Sequence, residues 1–332
     1  MVVEEPVRRT AKVRTPGTTS NLGPGFDALG LALRIWNSFE VAEIPAGFEV
    51  RSSGKGAERI PKGEENLVVR AFQHYRNFMG FPKATGLAIK IETQVPLGSG
   101  LGSSATATVA GLVAADTLAG RLLEEKDLAT LATELEGHPD NAVPCLVGGL
   151  VVCAMGDDGK LEYLRAEPSR MPSVVVASPL HFELSTQKMR QALPTQIAHK
   201  DAARNTGRAC MVIAALLENE RAPLLRAMED RLHEPYRAPY VPGFDAVKAA
   251  ARAAGALGVC LSGAGPSILA FADDDQDAAA IGDAMTTAWK AHRVEAEARV
   301  LPMEREGATC VLDPPEPEKK RARTSRLRPP GP

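Results

Sequence analysis

The chain has 332 residues, 44% of them apolar and 24% charged, and its 39 basic and 41 acidic side chains give a net charge of −2. Such a length predicts two domains of roughly 150 residues each. The near balance of charge argues against a general nucleic-acid binder, and the sequence has neither a basic, apolar leader after Met1 nor an uninterrupted apolar run of about 18 residues.

A cytoplasmic protein without membrane contact is therefore expected. Five cysteines without a C-x-x-C pair read as scattered reduced thiols. The six histidines show no metal spacing such as H-E-x-x-H.

Residues 1–9 read as a loose lead-in and Ala11–Thr15 as a short strand. Pro16 to Asp27 is too rich in Gly and Pro for a regular element. It fits either a binding loop ending in the Asp27 carboxylate or a capped connector. Asn37–Ile44 and Phe48–Ser52 resemble paired strands, and Leu67, Ala71, Tyr75 and Phe78 give helical spacing over Asn66–Phe78. In Gly86–Val95, Leu87, Ile89 and Ile91 alternate with polar residues, which predicts a strand.

Pro96-Leu97-Gly98-Ser99-Gly100-Leu101-Gly102-Ser103-Ser104 follows that strand and precedes an Ala-rich helix over Ser103–Leu118. Glycines at every second position bare the backbone N–H groups, and the helix start adds more, together with the positive end of its dipole. The expected ligand is an anion, most simply phosphate. No lysine lies between Lys90 and Lys126, so this is not a Walker loop, and its G-x-G-x-G spacing is not the dinucleotide fingerprint. Charge on a transferred phosphoryl group would then be met by backbone dipoles, a metal ion and side chains from elsewhere.

A second helix over Glu124–Leu135 stops at Glu136-Gly137-His138-Pro139-Asp140-Asn141, a polar cluster that suits a solvated helix end or a site equally well. Gly148–Met155 and Leu161–Leu164, joined by a turn at 156–159, close a first domain spanning residues 10–168. The second, residues 169–313, is expected to hold a strand at Ser173–Pro179 and helices near 185–192, 201–217 and 222–232. After three breaking prolines come a helix from about Phe244 to Ala254, a strand–loop–strand around Ser262–Ser267 and a helix at Asp275–His292. Strands near Glu295–Leu301 and Ala308–Leu312 are expected to complete its antiparallel sheet, an α+β arrangement. Residues 314–332, with six prolines and six Lys/Arg, read as a disordered basic tail.

Three stretches in order, N-L-G-P-G-F-D at Asn21–Asp27, P-x-x-x-G-L-G-S-S-A at Pro96–Ala105 and S-G-A-G-P-S at Ser262–Ser267, resemble the small-molecule kinase family named for galactokinase, homoserine kinase, mevalonate kinase and phosphomevalonate kinase. With E-G-H-P-D-N at Glu136–Asn141 the chain is most similar to the homoserine kinase branch. The resemblance implies an α+β fold of two domains, the first with a left-handed βαβ unit and the second ferredoxin-like, with the active site between them. A homodimer is what the family suggests.

The same resemblance implies ATP and Mg²⁺, with transfer to the hydroxyl of L-homoserine. Pro96 to Ser104 would wrap the phosphates, braced by Gly263 and Gly265, and Asn66 would touch the adenine. Ser103 and Glu136 would hold Mg²⁺, with Glu134 as the alternative carboxylate. Asp27 and Asn21 would receive the substrate ammonium, and Arg190 and Arg237 its carboxylate, with Thr186 a further substrate-binding residue. His138 and Asn141 would sit by the hydroxyl. Asn141 cannot take a proton, so transfer would proceed without a dedicated base, with Asp140 the competing candidate. A kinase for another small alcohol, or an idle relative that binds nucleotide or amino acid as a regulator, are the other readings.

Overall fold

The computed structural model describes residues 9–314. The expected lead-in and basic tail lie, but for one residue each, outside the described residues. Among those described, no helix is long and apolar enough to cross a membrane.

The chain opens with β1 (Thr10–Ser20), β2 (Leu29–Glu43) and β3 (Gly47–Gly54), followed by α1 (Leu67–Phe78) and β4 (Gly86–Thr93). β1 continues past the expected end at Thr15: Pro16 pairs with Trp36, the register then skips Ile35 and Arg34 of β2, and pairing resumes from Gly17 as far as Ser20. The Phe48–Ser52 strand does not pair with β2. β4 lies between them, antiparallel to β2 and parallel to β3, so β3-α1-β4 is a crossover unit. Local sequence shows strands close in the chain but not which neighbour each selects.

Next come α2 (Ser103–Ala119), α3 (Glu125–Glu136), α4 (Pro139–Val147), β5 (Leu150–Met155) and β6 (Leu161–Ala166). The small residues of α2 let it approach α1 closely: a Cβ on Gly111 would lie 2.5 Å from the Val68 carbonyl. α4 stands where the sequence reading has only a helix stop. Gly137 does end α3 in the left-handed conformation, but Pro139 then occupies the first turn of a new helix. The short β5 pairs with the start of β2, and β6 pairs with β5, completing a seven-stranded sheet.

The remainder contains β7 (Ser173–Pro179), α5 (Thr186–Gln191), α6 (His199–Leu217), α7 (Leu224–Ala227), α8 (Glu234–Arg237), α9 (Phe244–Ala253), β8 (Gly258–Leu261), β9 (Ile268–Ala272), α10 (Asp275–Ala291), β10 (Ala296–Val300) and β11 (Thr309–Asp313). β10-β7-β9-β8 form a four-stranded antiparallel sheet. The helix expected at 222–232 shrinks to α7, and α8 forms at Pro235, which sits in its first turn. β11 departs most from expectation. It leaves the second sheet and pairs antiparallel with β1, Thr10 opposite Asp313.

One core fills the space under the first sheet, where Phe39, Phe72, Tyr75, Leu87 and Leu112 are buried. Another, around Phe244, Trp289 and Met285, backs the second sheet. A third joins them, bringing Leu31, Leu33 and Leu101 against Val176, Leu216 and Phe271. This shared apolar contact fixes the two sheets relative to each other and leaves a cleft along their rim.

Candidate active site

The cleft has a volume of about 660 Å³ and is bounded by the glycine loop, the Asn21–Asp27 loop, the α3–α4 corner, α5, α8 and the Ser262–Ser267 loop. The loops are sewn together. Ser262 Oγ donates to the Gly100 carbonyl at 2.7 Å and can accept from Thr19 Oγ1 at 2.9 Å. Ser267 N–H donates to the Ser99 carbonyl, Gly263 N–H to the Ser20 carbonyl, and Asn21 Nδ2 to the Gly263 carbonyl at 2.9 Å. The third motif thus braces the glycine loop.

Gly98, Gly100 and Gly102 all have positive φ. At Gly100 a Cβ would lie 2.3 Å from the Ser262 carbonyl, and at Gly102 2.0 Å from Thr18 Oγ1. Both the conformation and the close approach therefore require glycine. Gly98, Ser99, Gly100, Gly102, Ser103 and Ser104 line the cleft. Pro96 and Leu101 do not share that face: the Pro96 carbonyl accepts from Ser99 Oγ at 2.8 Å, and Leu101 is buried in the shared core.

Beside the loop lies a smaller, largely apolar cavity of about 180 Å³, lined by Phe39, Ile60, Pro61, Leu67 and Leu97 and sharing Gly98, Ser103 and Ser104 with the cleft. Asn66 also lines it, yet most of its side chain is already occupied. Its Oδ1 caps α1 at Val68 N–H and its Nδ2 donates to the Pro61 carbonyl at 2.7 Å.

Glu136, the last residue of α3, turns to the loop helix. It accepts from Ser104 Oγ and, at 2.5 Å, from Thr108 Oγ1. Ser103 is one residue from that contact and lines the cleft. Glu134 faces away and pairs with His74 at 3.1 Å. Among the described residues no cluster of three or more His, Cys, Asp or Glu side chains is arranged for a metal. One carboxylate beside hydroxyls and a loop of bared N–H groups nevertheless fits Mg²⁺, which takes few protein ligands and completes its shell with phosphate oxygens and water.

At the α3–α4 corner, His138 Nδ1 lies 2.6 Å from Asp140 Oδ1. Burial alone would lower the His138 pKa, but the hydrogen bond and charge of Asp140 outweigh it and raise the value above 6.5. Asn141 is held on every side: its Oδ1 accepts from Thr18 Oγ1 at 2.7 Å, and its Nδ2 donates to Ser20 Oγ at 2.9 Å and to Asp140 Oδ1 at 3.3 Å. Thr18 and Ser20 went unnoticed in sequence because they fall in the extension of β1.

The opposite wall carries charge. Asp27, with φ of +56°, meets Arg190 of α5 through two hydrogen bonds, at 2.8 and 3.1 Å. The two residues expected to bind opposite ends of a zwitterion thus bind each other. Asn21, also at positive φ, accepts from Asp27 N–H through its Oδ1, so both ends of its amide brace the loop. Arg237 of α8 is 2% exposed and, among the described residues, hydrogen-bonds to neutral acceptors, the Met189 carbonyl at 3.4 Å, His233 Nδ1 at 3.3 Å and the Gly263 carbonyl at 3.4 Å. Burial, with nearby Arg190, lowers its pKa. Thr186 and Gln187, in the first turn of α5, complete this wall.

Residues 66–149 match the N-terminal domain of GHMP kinases and residues 212–291 their C-terminal domain. The chain belongs to the GHMP kinase family. Within it, homoserine kinase of Trichormus variabilis is 43% identical over 299 residues, 90% of this chain and 97% of the relative. The crystal structure of homoserine kinase from Cytophaga hutchinsonii superposes with a TM-score of 0.81 at 34% identity, covering 94% of this chain and all of the other. Leishmania major mevalonate kinase, at 18% identity and a TM-score of 0.68, shares the fold.

Proposed function

We propose that the chain is an ATP-dependent homoserine kinase. The carrying observation is the pairing, in one cleft, of a loop of bared N–H groups with a wall holding Asp27, Arg190 and the buried Arg237, a cation whose hydrogen bonds among the described residues go to neutral groups. An amino acid can exchange into the Asp27–Arg190 pair without leaving either charge alone, its ammonium taking Asp27 and its carboxylate the two arginines. An uncharged alcohol cannot.

The loop amides from Gly98 to Ser104 and the start of α2 hold the triphosphate, and the adenine enters the smaller apolar cavity. Mg²⁺, when bound beside Glu136 and the Ser103–Ser104 hydroxyls, would neutralise phosphate charge. The substrate hydroxyl oxygen forms a bond to the γ-phosphorus while the bond from that phosphorus to the β,γ-bridging oxygen breaks. ADP departs, and the hydroxyl proton passes to a phosphoryl oxygen or water. Asn141 and His138 orient the hydroxyl, and positioning with charge stabilisation lowers the barrier without an enzymic base.

The test is a coupled ADP-release assay with ATP, Mg²⁺ and, in turn, L-homoserine, mevalonate, galactose and shikimate. Turnover with homoserine at a kcat/KM at least 100-fold above the others supports the reading. Preference for another alcohol, or turnover with none, rejects it.

A further inference from the structure

Arg237 needs an aim as well as a charge. Its guanidinium is buried, and groups that orient it come from the Asn21–Asp27 loop and from the residue before α8, neither assigned such a part. His233, immediately before α8, is fully buried. Its Nε2 lies 2.8 Å from the Gly23 carbonyl, an acceptor only, so Nε2 must carry a proton. Its Nδ1 lies 3.3 Å from Arg237 Nη1, a donor only, so Nδ1 must present its lone pair. The two contacts therefore select one neutral tautomer. Doubly protonated, the ring would turn an N–H against the guanidinium.

The ring is also held face-on. Phe26 stacks on His233 with centroids 5.4 Å apart and planes inclined by 26°. The same Phe26 ring receives the guanidinium carbon of Arg237 at 5.4 Å and that of Arg190 at 5.8 Å. The backbone beneath His233 is pinned as well, since Asp230 Oδ2 accepts from the N–H groups of both His233 and Glu234 at 2.7 Å. One aromatic from the N-L-G-P-G-F-D loop thus supports both arginines, and one imidazole fixes the more buried of them.

We propose that His233, stacked on Phe26 and oriented by the Gly23 carbonyl, is a positioning residue that aims the Arg237 guanidinium at the carboxylate of the phosphoryl acceptor. The inference rests on the acceptor-site reading above. It assigns His233 no contact with the reacting atoms. Its loss should weaken binding of the acceptor and leave the nucleotide side unchanged, because the glycine loop is braced by Ser262 and Ser267 instead.

Steady-state kinetics on the full chain, with homoserine and ATP varied separately, provide the test. Arg237→Ala examines the acceptor site itself. His233→Gln keeps a donor where Nε2 stood but offers no acceptor at the Nδ1 position, whereas His233→Asn places its carbonyl oxygen there. Losing one hydrogen bond to a charged group predicts a homoserine KM about tenfold higher for His233→Gln. The ATP KM should stay within about twofold, and His233→Asn should return to within about threefold of the parent.

A homoserine KM unchanged in His233→Gln, or raised equally in both variants, overturns the proposal while a defective Arg237→Ala leaves the acceptor site standing. Parent-like kinetics of Arg237→Ala would overturn both. If His233→Gln does not fold, Phe26→Leu decides, since it keeps an apolar side chain and removes the π face. A selective rise in homoserine KM supports the proposal, and an unchanged one overturns it.

Discussion

Arg190 and Asp27 close on each other on one wall of the cleft, Nη2 2.8 Å from Oδ1 and Nη1 3.1 Å from Oδ2, in the two-pronged geometry each would offer to half of an amino acid. About a third of each side chain is exposed, so the pair adds little to folding. Asp27→Asn should leave the melting temperature within about 2 °C, given the small worth of exposed pairs. It should raise the homoserine KM by tenfold or more, as roughly 1.4 kcal/mol of lost binding does. Arg190→Lys should do likewise, since an ammonium cannot reproduce the planar fork. Scanning calorimetry and initial rates check both.

Asp140 is buried and engaged by His138 and Asn141. Asp140→Asn keeps an oxygen acceptor for the imidazole while removing any capacity to take a proton. Under base-free transfer, kcat should fall only a few fold. A loss on the order of 10² to 10⁴, the range for general-base removal, would make Asp140 the base.

Gly100→Ala places a methyl group 2.3 Å from the Ser262 carbonyl at a φ of +83°. The braced loop cannot move aside alone, because Ser262 Oγ also donates to it. A destabilisation of about 1 to 3 kcal/mol is expected from strain of this kind. The ATP KM should rise more than the homoserine KM, the reverse of the Arg237 pattern. Urea titration and the paired KM values measure the two effects.

Glu136→Gln removes the carboxylate charge and keeps one of the two oxygens that accept from Ser104 and Thr108. Half-maximal activity should then need about tenfold more Mg²⁺, while Glu134→Gln, on the His74 side, should not shift the requirement. Magnesium titration at saturating ATP distinguishes the two glutamates.

His233 gives stability a defined dependence on pH. Burial lowers its pKa below 6.5, Arg237 adding to this, while Asp230, Glu234 and the Gly23 carbonyl oppose it. The folded state therefore favours the neutral ring. This contribution is complete above pH 6.5, where the unfolded chain is neutral too, and is lost as pH falls from there through the folded pKa. Within that window the loss is about 1.4 kcal/mol per pH unit for one group. His233→Gln should remove this component, making its urea-unfolding free energy less steep than the parent's as pH falls below 6.5.

Legibility followed the range of the interaction. α2, α3, α6 and α10 were readable because periodicity and end signals are local, and the glycine loop because its backbone conformation depends on its own residues. α4 and α8 were harder to see. Each begins at a proline that also marks the end of something else, although Ala142, Val143, Leu146 and Val147 after Pro139 carried a helical signal. The arginines were legible as charges, but their mutual arrangement with Asp27, Phe26 and His233 was not, since those groups come from three separated segments.

The sequence by itself determined that a strand, a lysine-free glycine loop and a helix would form in succession with bared N–H groups, for positive φ and free N–H groups are properties of a few adjacent residues. Only the tertiary structure decided that β4 separates β2 from β3 and that β11 returns to β1. It also decided that Glu136 rather than Glu134 faces the loop and that Arg190 meets Asp27. Strand partners and side-chain pairings across the cleft depend on burying shared apolar surface between distant segments, and a local pattern does not encode which distant segment will be there.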